Sequence, residues 1–150
     1  AGKAGQRVLA SCLTSSIDSK ARPLVEIYDP AGRRLALSRN YKGNDALADA
    51  TLPADGDYFV RVTEFAYQSG GPDYFYRLTV GVGPWVDAVF PPAVNPGKPA
   101  PVTLYGRNLP GGRTVPNVQV DGRPVEAVTV TVNPPSAAGS LTFRGRVAPT

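Results

Sequence analysis

Between residues 52 and 80 the chain reads LPADGDYFVRVTEFAYQSGGPDYFYRLTV, two runs of alternating bulky and polar residues either side of a glycine-rich break. In the first run Tyr58, Val60 and Val62 fall on one side and Phe59, Arg61, Thr63 and Phe65 on the other. In the second, Tyr76, Leu78, Val80 and Val82 oppose Phe75, Arg77 and Thr79. Period-two alternation of this kind predicts half-buried strands, with one face on a core and one mixed face. The short AYQSGGPD connection predicts that residues 57–65 and 74–82 are antiparallel neighbours. Tyr58 and Tyr76 take the inward phase, so their rings are expected inside the sandwich.

The same pattern recurs along the chain. QRVLASCL places Val8, Ala10 and Cys12 on one face, and LVEIYD sets Val25 and Ile27 against Leu24, Glu26 and Tyr28. DPAGR then offers a tight reversal into RLALS, with Leu35 and Leu37 on one side, completing a predicted hairpin. RNYKGNDALADATL regains strand character only near Ala50 to Leu52. After Val82 the prolines and glycines of GVGPWVDAVFPPAVNPGKPAP interrupt regular alternation, with WVDAVF as a short edge strand. A boundary is placed near Gly83. Beyond it VTLYGRNL, NVQVDGRPVEAVTVTV and LTFRGRVA read as strands; Asp121-Gly122 is the strongest turn signal, and Val128, Val130 and Val132 form a core-suited side. No stretch shows convincing helical periodicity with caps. The expected chain is therefore all-β, with two sandwich units divided near residues 82 to 86.

Composition narrows the classes. Sixteen glycines and 16 prolines in 150 residues suit a turn-rich architecture, while 42% hydrophobic residues argue against disorder. The net charge of +4 is spread along the chain without a Lys/Arg run dense enough for a nucleic-acid footprint. No apolar run approaches the roughly 18 residues of a membrane span, so no membrane insertion is expected. The opening AGKAGQRVLASC lacks a basic segment followed by an apolar one, and a signal peptide is read as missing or already removed.

Two resemblances carry the organisation further. LVEIYDPAGRRLA, LPADGDYFVRVTE and YFYRLTV make residues 3–82 similar to the bacterial pre-peptidase C-terminal domain family, which implies a jelly-roll-like β-sandwich. The strand with which that family opens has no counterpart here, so domain 1–83 is expected to be N-terminally truncated and the chain an excised piece. VDAVFPPAVNPGKPAPVTLYGRNLP, with Gly106, Asn108 and Leu109, makes residues 84–150 resemble an immunoglobulin-like IPT/TIG domain, short enough to be incomplete. The tandem resembles regions of large exported planctomycete-like proteins. It implies a secreted, periplasmic or cell-surface location, with other domains of the same parent as partners.

Candidate chemistry is sparse. With no histidine, one cysteine and no nucleophile-elbow or phosphate-loop motif, the chain lacks the common catalytic and zinc signatures, and a non-enzyme is expected. Cys12 reads as a buried small hydrophobe. Calcium is the candidate cofactor: Asn44, Asp45 and Asp49 form one cluster of oxygen donors with Asn40, and Asp55 with Asp57 a second, with turn capping the favoured explanation of each. Tyr41, Phe65, Tyr67 and Tyr74 are candidates for an aromatic surface that binds polysaccharide or protein. Phe59, Phe75 and Trp85 are candidates for interdomain packing, with Trp85 as a hinge anchor. The expected role is a structural or spacer module; the alternative is adhesion to polysaccharide, matrix protein or a partner domain, and self-assembly through sheet edges overlaps with either.

Overall fold

The computed structural model describes residues 1–67, 69–120 and 122–136, together with the backbone of 141–142. The fold is all-β, built from several small antiparallel sheets in a sandwich-like architecture, and the chain divides into two compact units, Ala1–Val82 and Gly83–Thr150.

In the first unit, β1 (Arg7–Leu13) lies between β4 (Ala46–Thr51) and β6 (Arg77–Gly81), while β2 (Pro23–Tyr28) lies between β3 (Arg34–Ser38) and β5 (Phe59–Glu64). The two three-stranded sheets enclose one core. Ala10 and Cys12 come from β1, Val25 and Ile27 from β2, Ala36 from β3, and Ala46, Ala48 and Ala50 from β4. Val60, Val62 and Leu78 close it from the edge strands. Removing a valine or isoleucine side chain wholly from water contributes about 1.5–3 kcal/mol, so the fully buried Val25 and Ile27 anchor this layer.

The predicted β2–β3 hairpin forms, with Val25 opposite Ser38 and Ile27 opposite Ala36. A register shift at Tyr28 turns Ala36 inward and leaves Leu37 outside, opposite Glu26, in place of the expected shared Leu35 and Leu37 side. The expected β5–β6 hairpin does not form. β5 pairs with β2 and β6 pairs with β1, so the loop between them crosses from one sheet to the other. Alternation defines a strand's inner face but not its neighbour, and a loop of this length can span the roughly 10 Å between packed sheets. Tyr76 is consequently 55% exposed beside an open edge and does not fill the core. Tyr58 is half-buried and donates its hydroxyl to the Ala54 carbonyl at 2.7 Å. β4 starts at Ala46, earlier than expected, because its wall is built of alanines that give no bulky alternation.

In the second unit, a four-stranded sheet runs in the order β10 (Arg113–Val120), β11 (Arg123–Val132), β9 (Ala100–Arg107), β7 (Trp85–Phe90). WVDAVF is thus an edge strand. A two-stranded sheet pairs β8 (Ala93–Val94) with β12 (Leu141–Thr142). Val120 faces Arg123, with Gly122 at φ 70°, a left-handed turn position that glycine adopts without steric cost. Asp121 itself lies outside the described residues, as do the side chains of LTFRGRVA. Val128 and Val130 pair with Leu104 and Val102; Val102 is fully buried but Val130 is partly exposed, and the most deeply buried residue of β11 is Val125.

Candidate functional site

The residues with chemical potential fall into three places: the carboxylates of the first unit, the outer face of its β3–β2–β5 sheet, and a buried ion pair in the second unit.

The acidic residues read as calcium donors do not converge. Asp45 sits immediately before β4 and caps the 3-10 turn Ser15–Ile17. It accepts hydrogen bonds from the backbone N–H of Thr14 at 2.7 Å and of Ser16 at 3.3 Å, and from the Ser15 hydroxyl at 3.3 Å. Asn44 donates its backbone N–H to that same serine hydroxyl. Asp49 lies within β4 and receives Arg7 Nε at 2.6 Å. Asp55 holds Lys3 Nζ at 2.8 Å and the Ala4 N–H at 2.9 Å, whereas Asp57 is exposed. The β1–β4 ladder runs from Arg7 opposite Thr51 to Cys12 opposite Ala46. Asp45 and Asp55 are therefore at opposite ends of a six-residue strand, about 20 Å apart. Among the described residues no group of three or more His, Cys, Asp or Glu side chains could hold a metal ion.

Cys12 is fully buried in the core, and burial, reinforced by the nearby Asp45 charge, pushes its thiol up to about 11. A thiol in that state is a poor nucleophile at neutral pH.

The outer face of the β3–β2–β5 sheet is more distinctive. Register places Arg34 and Phe59 either side of Tyr28, Leu37 and Arg61 either side of Glu26, and Thr63 beside Leu24. Glu26 takes Arg34 Nη1 at 2.9 Å and Arg61 Nη2 at 2.6 Å. Its side chain is only 2% exposed, while those of Arg34 and Arg61 are 54% and 55% exposed. Burial alone would raise the Glu26 carboxyl, but hydrogen bonds from Arg34, Tyr28 and Arg61, with the Arg61 charge, hold it below the ordinary glutamate range. The Arg61 guanidinium also lies over the Tyr28 ring at 5.6 Å, and that of Arg39 over Phe65 at 4.5 Å.

Nearby, Asp29 folds the Asp-Pro-Ala-Gly turn around itself. It accepts the N–H groups of Ala31 and Arg33 and the Arg33 Nε, and the Arg33 backbone bond leads in lowering its pKa.

Glu26, Asp29, Asp45 and Asp55 all titrate below their ordinary values, 4.5 for Glu and 3.8 for Asp. For Asp45 the hydrogen bonds again overcome desolvation, and for Asp55 the Lys3 contact leads. A depressed carboxylate stabilises the fold above its unfolded pKa, and that contribution is lost as pH falls through the folded value. The urea midpoint of the first unit is accordingly expected to hold from neutral pH to about 4.5 and then fall steadily with further acidification. Tyrosine fluorescence reads this, since the single tryptophan lies in the second unit; a midpoint unchanged down to about pH 2.5 would contradict the assigned network.

Of the aromatic ligand candidates, Phe65, Tyr67 and Tyr74 lie along the segment that follows β5, and Tyr67 is 73% exposed. Tyr74 lines a cleft of about 540 Å³ with Lys20, Arg22, Asn44 and Glu64. Tyr41 is a correction: it is buried, its N–H bonded to the Asp45 carbonyl at 2.7 Å, and it offers no binding surface. The chain between Asn40 and Asp45 closes into a tight loop, which draws the ring inward. Of the residues assigned to interdomain packing, Phe59 and Phe75 are exposed side chains of the first unit, and Trp85 is half-buried in β7 opposite Arg107.

Asp87 and Arg107, both fully buried, form an ion pair in the second unit with Nε and Oδ2 3.3 Å apart. Neither residue is among the candidates that the sequence pattern offers. The available signal was an acid inside the apolar WVDAVF and an arginine between Gly106 and Asn108. Gly106 is required by proximity: a Cβ there would meet the Trp85 carbonyl oxygen and lie 3.1 Å from Val86 Cα, beside the bulge at Asp87. Asn108 then adopts φ 53°, and Glu126 accepts the N–H groups of Asn108 at 3.2 Å and Leu109 at 2.8 Å.

These features define a class: a small all-β protein of antiparallel sheets whose ionisable groups are largely committed to holding turns and strands. No protein-family model, curated protein or solved structure matches the chain. No helix among the described residues is long and apolar enough to cross a membrane.

Proposed function

We propose that this chain is a non-catalytic structural or spacer module of an exported multidomain protein, a pre-peptidase C-terminal-like sandwich followed by an IPT/TIG-like domain. The observation that carries the reading is the commitment of the buried acids. Glu26, Asp29, Asp45, Asp49 and Asp87 each engage an arginine or a turn backbone, which leaves none poised toward a substrate. General acid or base chemistry needs a group with a free partner-side lone pair or proton and a pKa near the working pH. The depressed carboxylates and the raised Cys12 thiol move the other way. The tight Gly106–Leu109 corner supports the IPT/TIG resemblance, because it gives each residue of the quoted motif a physical task.

The test is a screen of the purified chain against peptide and glycan substrates, with and without calcium, alongside calcium calorimetry and thiol labelling. The reading expects no turnover, and labelling of Cys12 only after unfolding. Turnover abolished by substituting a single Asp or Glu would overturn it. A second reading, adhesion, is favoured by one observation: Phe59, Phe65 and Tyr67 stand 60%, 47% and 73% exposed on or beside one sheet.

A further inference from the structure

We propose that the outer face of the β3–β2–β5 sheet binds an acidic polysaccharide, a chain of carboxylated sugars lying along β5. The proposal rests on the adhesion reading and adds the chemistry of the ligand.

Charge complementarity carries it. Arg34 and Arg61 lie in this sheet, Arg33 in its hairpin turn and Arg39 just after β3; of the carboxylates, Glu26 and Asp29 lie among them, while Glu64 ends β5 in the inward phase and accepts the Arg22 N–H. The Glu26 and Asp29 side chains are only 2% exposed, beneath guanidinium groups that are 54–77% exposed. Solvent therefore meets the cations and not their counter-ions. Arg39 forms no ion pair among the described residues; its contact is the face of Phe65. A planar guanidinium already stacked on a ring keeps its outward N–H fork for a carboxylate, with little rotamer freedom left to lose.

The rings set the ligand type. Phe59 lies beside Tyr28 at one end of β5, and Phe65 stands six residues further along the same side. At strand rise that is about 20 Å, the reach of an extended chain of several sugars. The exposed Phe59 ring carries negative quadrupole density that attracts the polarised C–H face of a sugar ring, while Phe65 presents the guanidinium stacked on it. An acidic peptide would meet the same arginines, but it brings no sugar C–H face to the exposed phenylalanine ring, and this separates the two ligands.

The experiment uses the full chain in affinity electrophoresis through gels containing polygalacturonate or its methyl ester, with poly-glutamate compared by calorimetry. Polygalacturonate is expected to retard the protein in a salt-sensitive way, with little retardation by the ester. Arg39→Ala and Phe59→Ala are each expected to weaken binding about tenfold, and Arg39→Lys to recover only part of that loss. Neither side chain supports the core, and circular dichroism melting checks that each variant folds. Equal retardation by the ester would leave adhesion standing and overturn the acidic specificity. Retardation by neither would overturn the proposal itself and leave the spacer reading, and adhesion to a protein, untouched. Tighter binding of poly-glutamate would overturn the proposal in favour of an acidic peptide, and unchanged affinity in both folded alanine variants would overturn the assignment to this face.

Discussion

Replacing Arg107 with alanine is expected to destabilise the second unit by about 3–5 kcal/mol. The guanidinium is fully buried, 3.3 Å from the equally buried Asp87, and its Nη2 reaches the Val120 carbonyl at 3.4 Å. Truncation strands the carboxylate without its cation and opens a cavity between β9 and β7. A folded domain has only about 5–15 kcal/mol of net stability, so the variant stands near unfolding. Urea unfolding followed by Trp85 emission measures this directly, because Trp85 lies opposite Arg107 in the ladder. Replacing both partners, as in Asp87→Asn with Arg107→Met, is expected to recover much of the loss, since no uncompensated charge remains. A single-variant loss below about 1 kcal/mol would mean that water reaches the pair.

Gly106→Ala is expected to cost about 3 kcal/mol by a different route, overpacking against backbone. The added methyl would run into the Trp85 carbonyl, which cannot swing aside as a side chain would. β7 must then move away from β9 near the bulge between Val86 and Ala88. The expected signature is a lower urea midpoint together with altered Trp85 emission in the native state. An unfolding free energy within about 0.5 kcal/mol of the parent would show that the edge strand yields freely.

The two predictions mark how far sequence reading reaches. The Gly-x-Asn-Leu corner was legible as a motif, but Asp87 stands twenty residues earlier, and only strand pairing brings it to Arg107. The β2–β3 hairpin was readable because Asp29, Pro30 and Gly32 encode the reversal locally. Phe59, Arg61, Thr63 and Phe65 were readable as one side of a strand for the same reason. The partners of β5 and β6 were not, since a period of two is blind to which sheet a strand joins. β4 escaped because alanines line its inner face, where size rather than polarity separates inside from outside. Tyr41 failed for a related reason: a tyrosine in a polar loop carries no phase that tells whether the loop folds over it.

The arch between β5 and β6 also bears on the order in which the chain can become a protein. β1, complete by Leu13, lies between β4 and β6, and β6 ends at Gly81. Its second neighbour thus begins sixty-four residues later in synthesis and is complete only at the close of the first unit. Loop closure over such separations precedes any reward from contact, which slows folding compared with hairpin-by-hairpin assembly. Until that last strand emerges, β1 has an unpaired edge, and a ribosome paused within AYQSGGPD would hold out a nascent chain whose apolar layer is open to whatever chaperone or neighbour arrives first.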